Sequence, residues 1–139
     1  MENFYYKSPI GNLEIICEKN ELISLKLTNK FKKSIFETDF INNIKINPTG
    51  TDFQKRVWKE LQKIPYGEIK NYSNIAEIIG NKNAQRAVGN ACNKNPIIII
   101  IPCHRVTSKS GKIGGFAYGN TIKEQLLKIE KNIFNYGNL

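Results

Sequence analysis

An unbroken run of five isoleucines at residues 97–101 constrains the fold of this chain more than any other stretch. Such a run predicts a short strand buried on both faces, since five apolar residues are too few to cross a membrane. Pro102 should end the strand because it has no N–H to donate. Cys103 and the only histidine of the chain, His104, follow directly.

The adjacent Cys103 and His104 predict a reactive thiol at the end of this strand. The thiolate is the reactive form of cysteine, and a neighbouring base helps to generate it. The alternative is a buried cysteine that only packs against its neighbours. Adjacent residues of a strand point in different directions, so a bridging water would connect thiol and imidazole better than a direct contact.

The cysteine count bears on compartment and metal binding. Cys17, Cys92 and Cys103 are an odd number at wide spacings, which is neither a disulfide framework nor a zinc pattern. With one histidine, the sequence predicts no metal site. The N-terminus lacks an apolar targeting segment, so we expect an intracellular, cytoplasmic protein.

The order of the predicted elements indicates an α/β protein with two domains. Residues 3–27 alternate as strands do, with a hairpin loop at 19–21, and residues 31–40 could form one short helix. Residues 42–50 have the Asn, Lys, Pro and Gly content of a linker. We therefore expect a small N-terminal α/β domain at 1–47 and a mainly helical domain at 48–139.

The net charge of +9 is unevenly placed. Residues 1–47 contain seven Lys/Arg and six Asp/Glu, whereas residues 48–139 contain fourteen and six. A basic excess confined to one part of a chain is typical of a protein with a polyanionic partner. The alternative is an organism whose codon usage favours lysine, although that bias would affect both parts alike.

Three helices are predicted between residues 51 and 92. Thr51 and Gln54 match a capping box at the start of the first helix, whose apolar face is Phe53, Val57, Trp58 and Leu61. A second helix at 73–79 should bury Ile75, Ala76, Ile78 and Ile79. A third follows at 84–92, after a tight polar turn. Two short helices joined in this way predict a helix-turn-helix.

The third helix has mostly small side chains, and Arg86 is its one long side chain. A helix that reads the major groove would need several long polar residues to reach base edges. Small residues suit a close approach to the narrow minor groove, with one arginine inserted towards the base stack. Alternatively, they only allow tight packing against a neighbouring helix.

The remaining chain predicts a lid and a last helix. Residues 111–119 contain four glycines without phosphate-loop spacing, which favours a flexible lid over a nucleotide cradle. The last helix should begin at Asn120, with an apolar stripe of Ile122, Leu126, Ile129 and Ile133. Glu130 lies beside that stripe and could be an ordinary surface residue.

The motif Pro102-Cys103-His104-Arg105 resembles the active-site signature of the O6-alkylguanine-DNA alkyltransferases, the methylated-DNA–protein-cysteine methyltransferases. The likeness covers roughly residues 48–133. Further segments that fall where the family pattern places them are Gly50-Thr51-Asp52-Phe53-Gln54, Val57-Trp58, Ile64-Pro65-Tyr66-Gly67-Glu68, Tyr72, Arg86-Ala87-Val88-Gly89, Asn95-Pro96 and Leu126-Leu127-Lys128-Ile129-Glu130. The N-terminal part resembles the small variable domain of the family more loosely, and an RNase H-like or ferredoxin-like fold is expected for it.

The resemblance implies a single-turnover DNA repair protein that flips O6-alkylguanine, mainly O6-methylguanine, out of duplex DNA and transfers the alkyl group to Cys103. His104 would take the thiol proton through a water, Glu130 would orient the imidazole, and Tyr72 would donate towards the leaving guanine. Asn95 would hold the cysteine loop. No cofactor and no membrane are implied, and a monomer bound in the minor groove is expected.

The resemblance also assigns a binding surface and a pocket. The expected DNA contacts are Arg86, Tyr72, Ser73, Ala84, Gln85, Ala87, Gly89 and Lys109. The expected pocket is formed by Pro102, Val106, Phe116, Ala117 and Tyr118. Two departures from the family pattern lie in the lid. Tyr118 stands where many members have a small residue, and Ala117 replaces a hydroxyl residue of some relatives.

Two other functions are compatible with the same residues. The chain could be a non-catalytic helix-turn-helix protein that binds the lesion while Cys103 stays inert. It could also be a cysteine hydrolase that uses Cys103 and His104, although the basic excess around the site argues against this.

Overall fold

The computed structural model describes residues 1–33, 44–110 and 116–137, with side chains described as far as residue 131. The chain forms two compact units. The first comprises Met1–Thr49 and Pro96–Ile98, and the second comprises Gly50–Asn95 and Ile99–Leu139. Among the described residues, no helix combines the length and apolar character needed to span a bilayer.

The first unit is built on a four-stranded sheet of order β1-β2-β3-β4. Strands β1 (Glu2–Ser8), β2 (Gly11–Glu18) and β3 (Glu21–Leu27) are antiparallel, and β4 (Lys45–Ile46) pairs with β3 in parallel. Lys19 and Asn20 both have positive φ, as a two-residue hairpin turn requires. The predicted alternation is confirmed in β2, where Leu13, Ile15 and Cys17 are buried.

The isoleucine run is not one strand, and this prediction was wrong. Ile97 makes an isolated parallel bridge with Leu25, whose N–H donates to the Pro96 carbonyl at 2.8 Å. The chain then turns at Ile99, which has a φ of 75°. A β-branched residue is strained in this region. Ile97, Ile98 and Ile101 are buried, whereas Ile99 and Ile100 at the turn are only half-buried. An apolar segment without periodicity does not by itself specify an extended backbone.

The described part of the second unit contains four α-helices, one short 3₁₀ helix and a small sheet. The helices are α1 (Asp52–Leu61), α2 (Tyr72–Ile78), α3 (Gln85–Asn93) and α4 (Asn120–Gly137). Strands β5 (Lys70–Asn71) and β6 (Val106–Thr107) pair in parallel. The predicted capping box of Thr51 and Gln54 is confirmed at the start of α1. The indole N–H of Trp58 donates to the Ala91 carbonyl at 2.8 Å, which joins α1 to α3.

The start and the buried face of α2 differ from the prediction. A reciprocal capping box of Asn71 and Asn74 begins the helix at Tyr72. Ile75 and Ala76 are buried as predicted, but Ile78 is 58% exposed, so its predicted burial was wrong. The helix is only seven residues long, so its buried stripe is narrower than its isoleucine content suggests.

The buried face of α4 carries charge. Leu126 is buried as predicted, whereas Ile122 and Ile129 are only half-buried. Lys123 and Glu130 complete the buried face instead. The side chain of Ile133, most of the predicted helix at 31–40 and the lid glycines at 111–115 lie outside the described residues.

Candidate active site

The thiol that the sequence predicts to be reactive, that of Cys103, lies in a tight turn. Residues Cys103–Arg105 form a 3₁₀ helix between Ile101 and β6. The Cys103 N–H donates to the Ile101 carbonyl at 2.8 Å, and the Arg105 N–H donates to the Pro102 carbonyl at 3.0 Å. Cys103 and His104 are 4% and 1% exposed, so water reaches neither side chain freely.

Asn95 fixes the thiol. This buried residue follows α3, and its side-chain amide donates both to the Ile101 carbonyl at 2.7 Å and to Cys103 Sγ at 3.2 Å. Burial raises the pKa of the Cys103 thiol above its ordinary value, while the hydrogen bond from Asn95 and the charge of Lys123 act in the opposite direction. The thiol is therefore protonated at rest and needs a base to become a nucleophile.

His104 is held by the carboxylate of Glu130. The distance from His104 Nε2 to Glu130 Oε1 is 2.7 Å, and both side chains are buried. An ionised carboxylate can only accept a hydrogen bond, so Nε2 carries the proton. Nδ1 of the neutral ring is then an acceptor, and it has no hydrogen-bond partner within the described part of the chain. The imidazole is thus oriented on one side and available as a base on the other.

Glu130 is ionised despite its burial. Desolvation alone would raise the pKa of this carboxyl, but the hydrogen bonds from His104 and Arg105, together with their charges, lower its pKa to about 2. Arg105 donates from Nε and Nη2 to the same carboxylate at distances of 2.7–3.0 Å. The predicted neighbourhood of His104 and Glu130 is therefore present in the structure.

Lys123 is a site residue that the sequence reasoning missed. Its ammonium donates to the Val106 carbonyl at 2.5 Å and lies 5.9 Å from the centre of the Tyr72 ring. Burial lowers the pKa of Lys123, an effect opposed by the negative charges that Cys103 and Cys92 would carry as thiolates. A signal existed in the sequence, because Lys123 is seven residues before Glu130 on the same helical face as Leu126.

Tyr72 begins α2, and its ring lies beside Gly89 of α3. A Cβ built on Gly89 would lie 3.9 Å from Tyr72 Cε1, which is ordinary contact, so an alanine would fit there too. Burial first, and then the charges of the neighbouring thiolates, raise the pKa of Tyr72 to about 12. The phenol therefore stays protonated and can act as a donor. Cys92, a second buried thiol on α3, also has a pKa raised by burial to about 12.

The residues expected to contact DNA differ in exposure. Gln85, Arg86 and Ala87 are exposed in the first turn of α3, and Lys109 is exposed after β6. Ser73 and Gly89 are half-buried. Ala84 is 8% exposed, so it offers a partner little beyond its backbone. Unlike α1 and α2, helix α3 receives no side-chain cap at its N-terminus.

The expected pocket residues fall into two groups. Pro102 and Val106 flank the turn of Cys103 and are buried. Phe116 and Tyr118 lie further along the chain, where their rings meet edge to face with centres 5.9 Å apart. Ala117 between them is exposed.

Comparison with known proteins identifies relatives. Residues 52–132 match the family model described as 6-O-methylguanine DNA methyltransferase, DNA binding domain. A methylated-DNA–protein-cysteine methyltransferase of Methanosarcina barkeri is 59% identical over 90 residues, which are 65% of this chain and 57% of that protein. A probable methylated-DNA–protein-cysteine methyltransferase of Acanthamoeba polyphaga mimivirus is 47% identical over 122 residues, 88% of this chain and 78% of the viral protein.

A solved structure resembles the fold over nearly its whole length. The Mycobacterium tuberculosis OGT in complex with DNA superposes with a TM-score of 0.84 and 36% identity, and the match covers 95% of this chain and 94% of that one. The matching segment spans little more than half the length of the Methanosarcina relative.

Proposed function

The chain belongs to the 6-O-methylguanine DNA methyltransferase family, and on that premise we propose that it repairs DNA by transferring the alkyl group of O6-alkylguanine, mainly O6-methylguanine, to its own Cys103. The observation that carries the proposal is the arrangement of the Cys103 turn. A buried thiol held by Asn95 adjoins an imidazole whose Nε2 is held by Glu130 and whose Nδ1 has no hydrogen-bond partner among the described residues. This is the nucleophile, base and orienting group that covalent transfer requires.

Thiol activation proceeds through His104. A water between Cys103 Sγ and His104 Nδ1 would satisfy the buried ring nitrogen and relay the thiol proton to it. Glu130 then stabilises the imidazolium. The hydrogen bond from Asn95 and the charge of Lys123 both favour the thiolate, because both lower the pKa of Cys103 against the effect of burial.

The transfer step balances without a cofactor. The Cys103 thiolate attacks the alkyl carbon, the carbon–sulfur bond forms, and the bond from that carbon to O6 of guanine breaks. The electron pair stays with guanine, and the phenol of Tyr72 donates a hydrogen bond towards the ring, which offsets the negative charge of the leaving base while the thiol proton stays on His104. The raised pKa of Tyr72 supports this role as a donor. The product is a stable thioether, so each molecule acts once.

DNA binding is assigned to α2 and α3 as a helix-turn-helix in the minor groove. The base must leave the stack, because a nucleophile cannot reach the O6 substituent inside paired duplex. The exposed Arg86 would fill the gap, and the small residues beside it allow close approach. The backbone N–H groups in the first turn of α3, which receive no side-chain cap, suit phosphate contacts together with Ser73 and Lys109.

The rest of the molecule fits the same proposal. Pro102, Val106, Phe116, Ala117 and Tyr118 would enclose the flipped base. Residues 1–47 would form a separate N-terminal domain, in which three consecutive antiparallel strands favour an RNase H-like over a ferredoxin-like fold. We further propose an intracellular monomer that acts on double-stranded DNA through residues 48–139.

Intact-mass measurement after incubation with a duplex containing O6-methylguanine tests the proposal. A gain of about 14 Da, confined to the peptide that carries Cys103, is expected for methyl transfer. The same duplex with unmodified guanine should give no gain. Tight binding to the methylated duplex without any gain would instead identify a non-catalytic lesion-binding protein, and turnover of ester or peptide substrates a cysteine hydrolase.

A further inference from the structure

Arg105 binds the same carboxylate that holds the catalytic imidazole. Its Nε lies 3.0 Å from both Oε1 and Oε2 of Glu130, and its Nη2 lies 2.7 Å from Oε1. Oε1 is also the atom that accepts from His104 Nε2 at 2.7 Å. Glu130 is therefore shared between one permanent cation and one ring that is charged only when it is protonated.

Arg105 is itself fixed on two further sides. Its Nη1 donates to the Ile64 carbonyl, just after the end of α1, at 2.9 Å. Its guanidinium lies over the ring of Tyr66, 5.2 Å from the ring centre. These contacts hold the guanidinium in place whether or not His104 carries a second proton. Arg105 is thus a rigid charge next to Glu130 rather than a mobile counter-ion.

We propose that Arg105 is a positioning residue that acts through Glu130 to limit how tightly His104 holds a proton, so that the imidazole is free to receive the proton of Cys103 at neutral pH. This inference rests on the proposed function. A carboxylate with no other partner would exert its full charge on the imidazole ring. The guanidinium offsets part of that charge and also fixes the carboxylate in the orientation that His104 requires.

In the described part of the chain, the other charged and titratable groups around His104, Glu130 and Arg105 or the adjoining thiol come from three elements. The 3₁₀ turn contributes Cys103, and α4 contributes Glu130 and Lys123. The segment after α1 contributes Tyr66, whose pKa is raised by burial and by the charge of Glu130 and lowered by Arg105. Lys123 acts on the thiol side. Among the described side chains, Arg105 is therefore the permanent cation that contacts the Glu130 carboxylate.

The pH dependence of methyl transfer tests the proposal. Single-turnover rates with a saturating methylated duplex should rise with pH along an acidic limb. In Arg105→Met the midpoint of this limb should move up by about one pH unit, the size of effect expected when an opposite charge is removed at this distance. The ratio of the rate at pH 6 to the rate at pH 8 should then fall about fivefold. Arg105→Lys, which keeps the positive charge but loses the two-point contact of the guanidinium with Glu130, should shift the midpoint less.

Further variants separate the effect of the Arg105 charge on the midpoint from an effect on folding. Arg105→Gln keeps a donor to Glu130 without the charge and should reproduce the midpoint shift if Arg105→Met does not fold. Combining either variant with Glu130→Gln should abolish the shift that Arg105 replacement causes, because the effect passes through that carboxylate. Arg56→Met is the matched control, since Arg56 also donates to a backbone carbonyl, that of Ile79 at 2.6 Å, but forms no ion pair with any carboxylate of the described residues.

The outcomes are distinct. An unchanged midpoint in Arg105→Met and Arg105→Gln, with only a lower melting temperature or a rate reduced equally at every pH, overturns the proposal. The pH dependence of Cys103 alkylation by iodoacetamide, measured from the mass of the Cys103 peptide, gives a corresponding midpoint in the absence of DNA. A wild-type protein that takes no methyl group from DNA while its iodoacetamide profile responds to Arg105 would refute the proposed function and leave the role of Arg105 supported.

Discussion

The side-chain amide of Asn95 lies 3.2 Å from Cys103 Sγ and donates to it, while its other donor contact, to the Ile101 carbonyl, is 2.7 Å long. One residue at the end of α3 thus fixes both the backbone before the turn and the sulfur within it. A donor aimed at sulfur stabilises the thiolate more than the thiol. Asn95 consequently links α3, the helix that we propose binds DNA, with Cys103 Sγ, the proposed nucleophile.

Replacing Asn95 by alanine should therefore reduce both stability and rate. The buried Ile101 carbonyl would lose its partner, and the free energy of unfolding should fall by about 1–3 kcal/mol. The methyl-transfer rate at neutral pH should fall about tenfold, because the thiolate loses a donor. Urea unfolding and single-turnover kinetics measure the two effects. Asn93→Ala, at an exposed position of α3, is the control, and equal behaviour of the two variants would argue against this role.

Lys123→Met should slow transfer while the fold is retained. Methionine keeps much of the apolar stem that Lys123 buries, but it removes the charge that lowers the pKa of Cys103. We expect the rate at neutral pH to fall at least about tenfold and iodoacetamide alkylation of Cys103 to need higher pH. Lys128→Met, at an exposed position of the same helix, should behave as wild type. A wild-type rate in Lys123→Met would exclude an electrostatic role.

The lowered pKa of Glu130 predicts how stability depends on pH. Its pKa is 4.5 in the unfolded reference and about 2 in the folded protein, so the carboxylate stabilises the fold above pH 4.5. This contribution is lost as the pH falls from 4.5 towards 2, and at neutral pH it amounts to about 3 kcal/mol. In Glu130→Gln, urea unfolding should show lower stability at pH 7 and a flatter decline below pH 4.5. Glu124→Gln, exposed on α4, should keep the wild-type profile.

Arg86→Ala should impair duplex repair more than chemistry. If Arg86 occupies the space of the flipped base, its loss lowers the population of extruded guanine, and single-turnover transfer from duplex should slow at least about tenfold. Transfer from a single-stranded oligonucleotide should change much less, because its base is already unpaired. Lys59→Ala removes an exposed charge from α1 and serves as the control. Equal losses on both substrates would contradict the role of Arg86 in base extrusion.

Tyr118 should restrict the size of the alkyl group. An aromatic ring in the lid narrows the expected pocket, so O6-benzylguanine should react much more slowly than methylated DNA. Tyr118→Gly should increase the relative rate on the benzyl substrate about tenfold, whereas Tyr118→Phe, which keeps the ring, should not. A competition assay with both substrates measures this ratio. Equal rates for the two substrates in the wild-type protein would show that the pocket is not limited by this ring.

The sequence predicted features of fixed, short spacing better than it predicted the backbone conformation around the candidate site. The capping box at Thr51 could be predicted because it depends on residue types three positions apart, and the adjacent Cys103 and His104 could be singled out as candidates in the same way. The prediction for the isoleucine run was wrong because an apolar run does not distinguish an extended backbone from a turn, and the chain turns at Ile99, where φ is positive. Lys123 was missed because a lysine beside an apolar stripe is usually solvated, and only the folded chain shows the carbonyl and ring that hold it.

The most direct test of the account is the number of methyl groups that one protein molecule can accept. Wild-type protein incubated with an excess of duplex carrying radiolabelled O6-methylguanine should retain label up to one methyl per chain, all of it on the Cys103 peptide, and then stop. Cys103→Ser should fold, bind the duplex and retain no label. Continued removal of methyl groups beyond one per chain, or any removal by the serine variant, would contradict the account.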